Sequence, residues 1–211
     1  KYYLVGRNKK YIYCNYHKIN EIKNIINKYK FDTIINCIGY TNIDKVNFEK
    51  ELCFFLNVTV TNNIVEAIKE SSCKPYFIHF STDHLYNKKG LSSEKDIEIV
   101  NYYALSKYYS EQFSNEISST IIRTNFFGIS QHPKKISFSD WVVNSLSKKK
   151  KINSFRDIYF NPLSFNSLVK IIDLIISKKI TGVYNLGSHN GFSKDKFIKE
   201  IIKIKNFKKN L

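Results

Sequence analysis

Pro75-Tyr76-Phe77-Ile78-His79-Phe80-Ser81-Thr82-Asp83 reads as an apolar β-strand that ends in two hydroxyls and a carboxylate. Tyr103-Ala104-Leu105-Ser106-Lys107 follows about twenty residues later, and a second apolar strand, Thr120-Ile121-Ile122-Arg123-Thr124, comes after it. A phenol and an ammonium four residues apart share one helix face, one turn from each other. A free tyrosine ionises near pH ~10, and a nearby lysine favours the phenolate, which brings the group towards neutral pH, where a general acid works best. With the hydroxyl of Thr82 or Ser81 beside that phenol to hold a substrate oxygen, the three groups suit protonation of a carbonyl oxygen while hydride reaches its carbon. A Tyr-x-x-x-Lys spacing is common in a chain with 15 tyrosines, so its placement between two strands is what singles this one out.

Working outward, strand-like runs alternate with segments of helical period. Tyr2 to Val5 and Tyr11 to Cys14 are short strand candidates. Ile19, Ile22, Ile25, Ile26 and Tyr29 mark a helix face. Thr33 to Ile38 has the β-branched, apolar character of a strand buried on both faces. Leu52, Phe55, Leu56, Val60, Ile64, Ala67 and Ile68 outline a long helix. Further on, Phe138, Trp141, Val142, Val143 and Leu146 fit a helix with Trp141 in the core. Phe165 to Ile176 is another, with Leu168, Ile171, Ile172 and Ile175 inward. Val183 to Leu186 is a strand, and Ser193 is the expected N-cap of a last helix over 194–203. Alternating strand and helix imply βαβ units and a parallel sheet, with ligands at the carboxyl ends of the strands.

The 211 residues suffice for one substantial core and a small second lobe, and 43% hydrophobic residues indicate a globular chain. No apolar run approaches membrane-span length, which favours a cytoplasmic protein. Cys37 and Cys53 are expected to be buried, reduced thiols. The four cysteines and the histidines His17, His79, His84, His132 and His189 lack metal-ligand spacing, so no metal is assigned. The net charge of +16, with runs at Lys148–Lys151 and around Lys203, Lys205, Lys208 and Lys209, raises nucleic-acid binding. Enrichment in Lys, Asn, Ile, Phe and Tyr with scarce Gly and Pro is what an AT-rich genome produces, and specific nucleic-acid binding is not expected. The chain has no methionine and opens inside a strand-like run, as a fragment of a longer protein would.

Ile35-Asn36-Cys37-Ile38-Gly39-Tyr40-Thr41-Asn42-Ile43-Asp44, then Asn57, Ser81-Thr82-Asp83-His84-Leu85-Tyr86, Tyr103-x-x-x-Lys107 and Ile122-Arg123-Thr124 occur in this order. In that order they resemble the extended short-chain dehydrogenase/reductases, specifically the dTDP-4-dehydrorhamnose reductase-like, sugar nucleotide-binding branch, from about Tyr3 to Phe197. The resemblance implies an α/β, Rossmann-like, doubly wound parallel sheet. Residues 1–128 would form the NAD(P)-binding domain. Residues 129–211 would be mainly a small substrate-binding lobe, partly interleaved with the first domain and incomplete. It also implies reduction of a nucleotide-linked 4-keto-6-deoxy sugar for surface polysaccharide. Thr82 would hold the substrate carbonyl, Tyr103 would donate the proton, and Lys107 would bind the nicotinamide ribose and favour the tyrosinate. Cofactor contacts carry over to Arg7, Asn15, Tyr16, Cys37, Ile38, Gly39, Asn57, Tyr103 and Lys107, and substrate contacts to Thr82, Asp83, His84 and Phe126. Arg7, with no acidic neighbour, suits the 2′-phosphate of NADPH, with NADH as the alternative. Relatives often dimerise, which leaves a homodimer open.

One departure is large. The family opens with a strand and a Gly-x-x-Gly-x-x-Gly turn that grips the pyrophosphate, and this sequence contains neither. The expectation is N-terminal truncation, with a fragment inactive by itself. A non-catalytic dinucleotide- or nucleotide-sugar-binding regulatory subunit of the same family is the alternative. Asn36 and Asp44 read equally as functional groups or as turn formers. Arg123 reads as a structural ion pair rather than an anion clamp.

Overall fold

A computed structural model describes residues 2–8, 10–88, 90–130, 136–189 and 191–206; His132, Lys208 and Lys209 lie outside the described residues. The chain folds as two compact units. The first runs up to Arg123 and takes back Ile175–Asn185, and the second comprises Thr124–Leu174 and the residues from Leu186 on.

In the first unit, the isoleucines of α1 (Ile19–Tyr29) fall on one face, with Ile22 and Ile26 buried. The helix ends at Lys30 in the left-handed conformation (φ 50°), whose N–H caps the Ile26 carbonyl. It packs on α3 (Val60–Glu70), and Ile22, Ile26, Val60, Ile64, Val65, Ala67, Ile68 and Phe77 form the main core. Each such aliphatic side chain contributes ~1.5–3 kcal/mol through removal from water. The expected long helix is three segments: α2 (Lys50–Phe54), a π-helical stretch over Phe55–Thr59, and α3.

Strands β1 (Val5–Gly6) and β2 (Ile12–Tyr13) form a parallel pair, shorter than the sequence suggests. A four-stranded sheet has the order β3 (Thr33–Asn36), β4 (Tyr76–Thr82), β5 (Ser119–Thr124), β9 (Gly182–Leu186). β3 runs parallel to β4, from Thr33 opposite Tyr76 to Asn36 opposite His79. β4 and β5 are buried almost throughout, but β3 departs from expectation. It lies at the sheet edge, Ile34 packs against the α1–α3 core, and Ile35 on the other face is 37% exposed. Cys37, expected to be buried, is exposed for the same reason, while Cys53 is buried as expected.

Helix α4 (Tyr102–Ser114) starts at Asn101, whose side chain accepts the Ala104 N–H at 2.8 Å. It packs against β4 with a polar face: Tyr103, Ser106, Lys107, Ser110, Glu111 and Ser114 are all buried. Glu111 is fastened to Arg123 of β5 through two hydrogen bonds, Nε to Oε1 at 2.9 Å and Nη2 to Oε2 at 2.6 Å. Both side chains are at most 3% exposed, so the arginine is a structural ion pair, as read from the sequence. Ser81 also donates to Glu111, and Arg123 Nη1 donates to Tyr86 Oη and the Glu94 carbonyl.

In the second unit, β6 (Phe126–Phe127) pairs parallel with β8 (Leu163–Ser164), and β7 (Tyr159–Phe160) antiparallel with β10 (Phe192–Ser193). Helix α5 (Phe138–Ser147) opens with a reciprocal capping box between Ser137 and Asp140. Helix α7 (Lys194–Ile204) is capped by Ser193 as expected. Val142, Ile152, Ile198 and Ile202 form a core between α5 and α7. Trp141, expected in that core, is 44% exposed, because Val142 rather than its neighbour points inward. Helix α6 (Phe165–Lys178), which belongs to this unit as far as Leu174, buries Leu168 and Ile172. Gly187 and Gly191 leave room for Asn161: a Cβ would lie 2.7 Å from Asn161 Cβ at the first and 2.9 Å from Asn161 Oδ1 at the second.

Removing one partner of a buried ion pair strands the other charge. Glu111→Gln is therefore expected to lower the unfolding free energy by about 3–5 kcal/mol, read from urea denaturation. A loss below about 1 kcal/mol, the size found for exposed pairs, would show that water reaches the pair.

Candidate active site

The site is built where β4 ends. Thr82 is the last strand residue, and its side chain caps the short turn Asp83–Leu85 by accepting the His84 N–H at 3.2 Å. The same side chain lies near enough to the Tyr103 phenol to lower its pKa. Ser81, the other hydroxyl considered from sequence, is committed to Glu111, which leaves Thr82 as the hydroxyl that acts on the phenol. Lys107, one turn along α4, donates from Nζ to the Phe80 carbonyl at 2.5 Å. Thr82, Tyr103 and Lys107 are all buried, and the exposed His84 meets the Tyr103 ring edge-on at 5.7 Å. Asp83 is half-buried, and its charge acts on the phenol.

The electrostatics differ from the simple expectation. Tyr103 is not pulled towards neutral pH; burial raises its pKa above the ordinary phenol value, with Thr82 opposing and Asp83 adding to the rise. The Lys107 ammonium is turned to the Phe80 carbonyl, which accounts for the missing stabilisation of a phenolate. Burial depresses Lys107 to about 8, against the opposing pull of Glu111 and Cys53.

Residues read as cofactor contacts divide into two groups. Arg7, Tyr16 and Ile38 line a cavity of about 230 Å³ together with Val5, Gly6, His17, Phe55 and Leu56. His17 stacks on Phe55 at 4.1 Å, and Tyr16 Oη donates to the Val5 carbonyl. The cavity is apolar with basic residues at its wall, a chemistry that fits the adenosine end of a dinucleotide. Gly39 lies close to Asn57, where a Cβ would come within 3.2 Å of Oδ1. The other group is engaged internally. Asn57 has no exposed surface: its Oδ1 accepts the Tyr40 N–H at 2.7 Å and its Nδ2 donates to Ser106 Oγ at 2.8 Å. It braces the loop after β3 against α4 from the π-helical turn, so the amide expected to meet a cofactor is bonded within the protein. Asn15 Oδ1 already accepts the His17 N–H in a local turn. Asn36, weighed evenly from sequence, belongs to a buried network with Thr61 and His79. Phe126 is 50% exposed in the second unit, 6.3 Å from the Phe165 ring.

Sequence reasoning missed His79, Ser106 and Ser110. His79 is fully buried, 3.3 Å from Lys107 Nζ and 2.9 Å from Ser110 Oγ. The signal was present as Ser106, Ser110 and Ser114, small polar residues at helical spacing on the Tyr103 face. Thr124, at the carboxyl end of β5, has the one buried side-chain polar atom without a hydrogen-bond partner among the described residues. No cluster of metal-ligating side chains occurs among them, and no described helix is long and apolar enough to cross a membrane.

A parallel central sheet flanked by helices, with Thr, Tyr and Lys gathered at the end of its second strand, defines an α/β fold of the Rossmann-like reductase type. Residues 3–210 match the RmlD substrate binding domain, and the chain belongs to that family. It is 30% identical over 208 residues to the dTDP-D-glucose 4,6-dehydratase of Dictyostelium discoideum, covering 87% of this chain but only 47% of that protein. Among solved structures, a hypothetical dTDP-4-dehydrorhamnose reductase from Sulfolobus tokodaii superposes with a TM-score of 0.80 at 28% identity, over 92% of this chain and 68% of that one. The dTDP-4-dehydrorhamnose reductase of Bacillus anthracis, solved with NADP, shares the fold with a TM-score of 0.82 at 22% identity, over 92% and 69% of the two chains.

Because the folded-state pKa of Lys107 is depressed, its contribution to stability is present above the unfolded value near 10.5 and is lost as pH falls through about 8. The difference in unfolding free energy between the wild type and Lys107→Met should therefore shift in favour of the wild type as pH rises from about 8 to 10.5. A difference that stays flat across that window would place the amine in water.

Proposed function

We propose that this chain belongs to an NADPH-dependent reductase of nucleotide-linked 4-keto-6-deoxy sugars. The observation that carries the reading is that Thr82, the last residue of β4, and Tyr103 and Lys107, one turn apart on the helix packed against that strand, are all buried together. NADPH, when bound, supplies the hydride. Thr82 holds the substrate ketone oxygen next to the phenol, and Tyr103 gives that oxygen its proton. A raised phenol pKa keeps the proton in place at neutral pH, so the tyrosine is loaded as an acid before the substrate arrives. Lys107 holds the nicotinamide ribose.

Arg7 at the wall of the 230 Å³ cavity supports selection of a 2′-phosphate, and Tyr16 and Ile38 supply apolar surface for the adenosine. The orphaned Thr124 hydroxyl at the end of β5 is a polar atom that a ligand can satisfy. NADP in the Bacillus anthracis reductase supports the cofactor class. Residues 129–211 are assigned mainly to sugar binding, with Phe126 as an aromatic contact, and the product sugar to surface polysaccharide. The other reading is a non-catalytic binding subunit, in keeping with an Asn15 side chain already held in a local turn.

The test is oxidation of NADPH by the complete polypeptide with dTDP-4-keto-6-deoxyhexose. Tyr103→Phe is expected to lower kcat by at least about 10²-fold, the usual worth of a positioned general acid, and Thr82→Ala to lower it similarly. Undiminished turnover in Tyr103→Phe rejects the assigned chemistry, and binding of NADPH without turnover of any keto sugar favours the subunit. Arg7→Glu should weaken NADPH at least about 10-fold more than NADH in fluorescence titration, since it replaces an attraction to the 2′-phosphate by a repulsion.

A further inference from the structure

His79 is the buried titratable group that this chemistry leaves unused, and its surroundings fix its state. The Ile38 N–H donates to Asn36 Oδ1 at 3.0 Å, which turns the Asn36 amide nitrogen towards His79 Nδ1, 3.3 Å away. An NH₂ group can only donate there, so Nδ1 carries a lone pair. On the other side, the Ser110 hydroxyl spends its proton on the Lys107 carbonyl at 2.6 Å, so its oxygen accepts from His79 Nε2 at 2.9 Å. Both constraints place the single imidazole proton on Nε2. The Lys107 amine, 3.3 Å from that same Nε2, therefore faces an N–H and not a lone pair.

We propose that His79 is a positioning residue for Lys107: a neutral imidazole of fixed Nε2–H tautomer that denies the ammonium an acceptor and leaves the Phe80 carbonyl as its anchor. The histidine touches neither substrate nor cofactor. It acts by limiting how well the charged amine is solvated, so that Lys107 exchanges its proton near neutral pH. Burial keeps the imidazole itself uncharged, and the adjacent amine adds to that. The other groups around Lys107 are Glu111 and Tyr103 on α4, Cys53 on α2 and, through Glu111, Arg123 on β5; Glu111 and Cys53 pull the amine the other way. The inference deepens the proposed reductase reading in assigning a cause to the state of its lysine, but its direct readouts do not depend on turnover.

Nitrogen-15 NMR of the imidazoles in the wild-type chain, assigned by loss of one signal set in His79→Gln, should show His79 as the Nε2–H tautomer from pH 8 down to about pH 5, well below the usual titration of histidine. An Nδ1–H tautomer, or an imidazolium at neutral pH, overturns the proposal. His79→Gln can turn a carbonyl oxygen to the ammonium, so the Lys107 titration, followed in lysine-labelled protein and assigned with Lys107→Arg, should move up by about one pH unit. An unmoved Lys107 titration in a folded His79→Gln protein also overturns it. In the complete polypeptide the alkaline limb of kcat/KM should move up with the lysine, whereas a merely structural histidine would lower the rate equally at every pH. If no keto sugar is turned over, the reductase reading falls while the two NMR titrations still decide the role of His79.

Discussion

The buried pair between Glu111 and Arg123 is the constraint on which the rest of this site depends. One carboxylate gathers the end of β4 through Ser81, the last third of α4, and β5 through the guanidinium. The guanidinium continues to Tyr86 and the Glu94 carbonyl, and Tyr86 reaches Asn185 at the end of β9. Two charges removed from water are costly, and only near-complete hydrogen bonding makes such a pair tolerable. Here both carboxylate oxygens are used, and the guanidinium reaches three different partners. The pair fixes the rotation of α4 about its own axis. Once Glu111 must face Arg123, Lys107 and Tyr103, one and two turns earlier, must face the end of β4.

That geometry explains why α4 buries so many polar groups. A helix whose inward face is Tyr, Ser, Lys, Ser, Glu and Ser cannot be held by apolar area, so its attachment is a chain of satisfied donors and acceptors. Serines 106, 110 and 114 each return a proton to a carbonyl of the preceding turn, which frees their oxygens to accept from neighbours. Ser106 accepts from Asn57 and Ser110 from His79. The small side chains also let the helix sit close to the sheet. A lysine in such a setting has few acceptors within reach, and its depressed pKa follows from that scarcity more than from any single charged neighbour.

Much of this was legible in the sequence because it is local. The isoleucines of α1, the Ser193 cap and the strand–helix–strand order around Tyr103 depend on periods of two or 3.6 residues, and these survive in the one-dimensional pattern. The two-residue strands β6, β7, β8 and β10 carry no period, and the pairing of β6 with β8 joins residues almost forty positions apart. Ile35 and Cys37 look like core because they are apolar, yet exposure at a sheet edge depends on what lies beside the strand. Asn57 was read from the sequence as a cofactor contact, and the structure shows its amide bonded to Tyr40 and Ser106. Its position on a π-helical turn and its ties to Tyr40 and Ser106 come from three elements meeting, which no spacing within one of them reveals. His79 was visible as a polar residue in an apolar strand, but the tautomer that matters is set by Asn36 and Ser110, 43 and 31 residues away.

The placement of the site at a strand end follows from the same geometry. Along β4 the side chains alternate, so Phe77, His79 and Ser81 form one row, and the polar members of that row turn to α4. Thr82 belongs to the opposite row and inside the strand would point away from Tyr103. It escapes the alternation because β4 stops there: its hydroxyl takes the His84 N–H of the Asp83–Leu85 turn and lies near enough to act on the phenol. Consecutive residues can then serve one helix, Ser81 by fixing Glu111 and Thr82 by meeting Tyr103. In the middle of the strand that combination is sterically closed, and every hydroxyl there would be claimed by the sheet or by the packing of α4. A proton donor that must be buried enough to hold its proton, yet open to a substrate, is therefore restricted to the last residue of the strand and the first turn of the helix beside it.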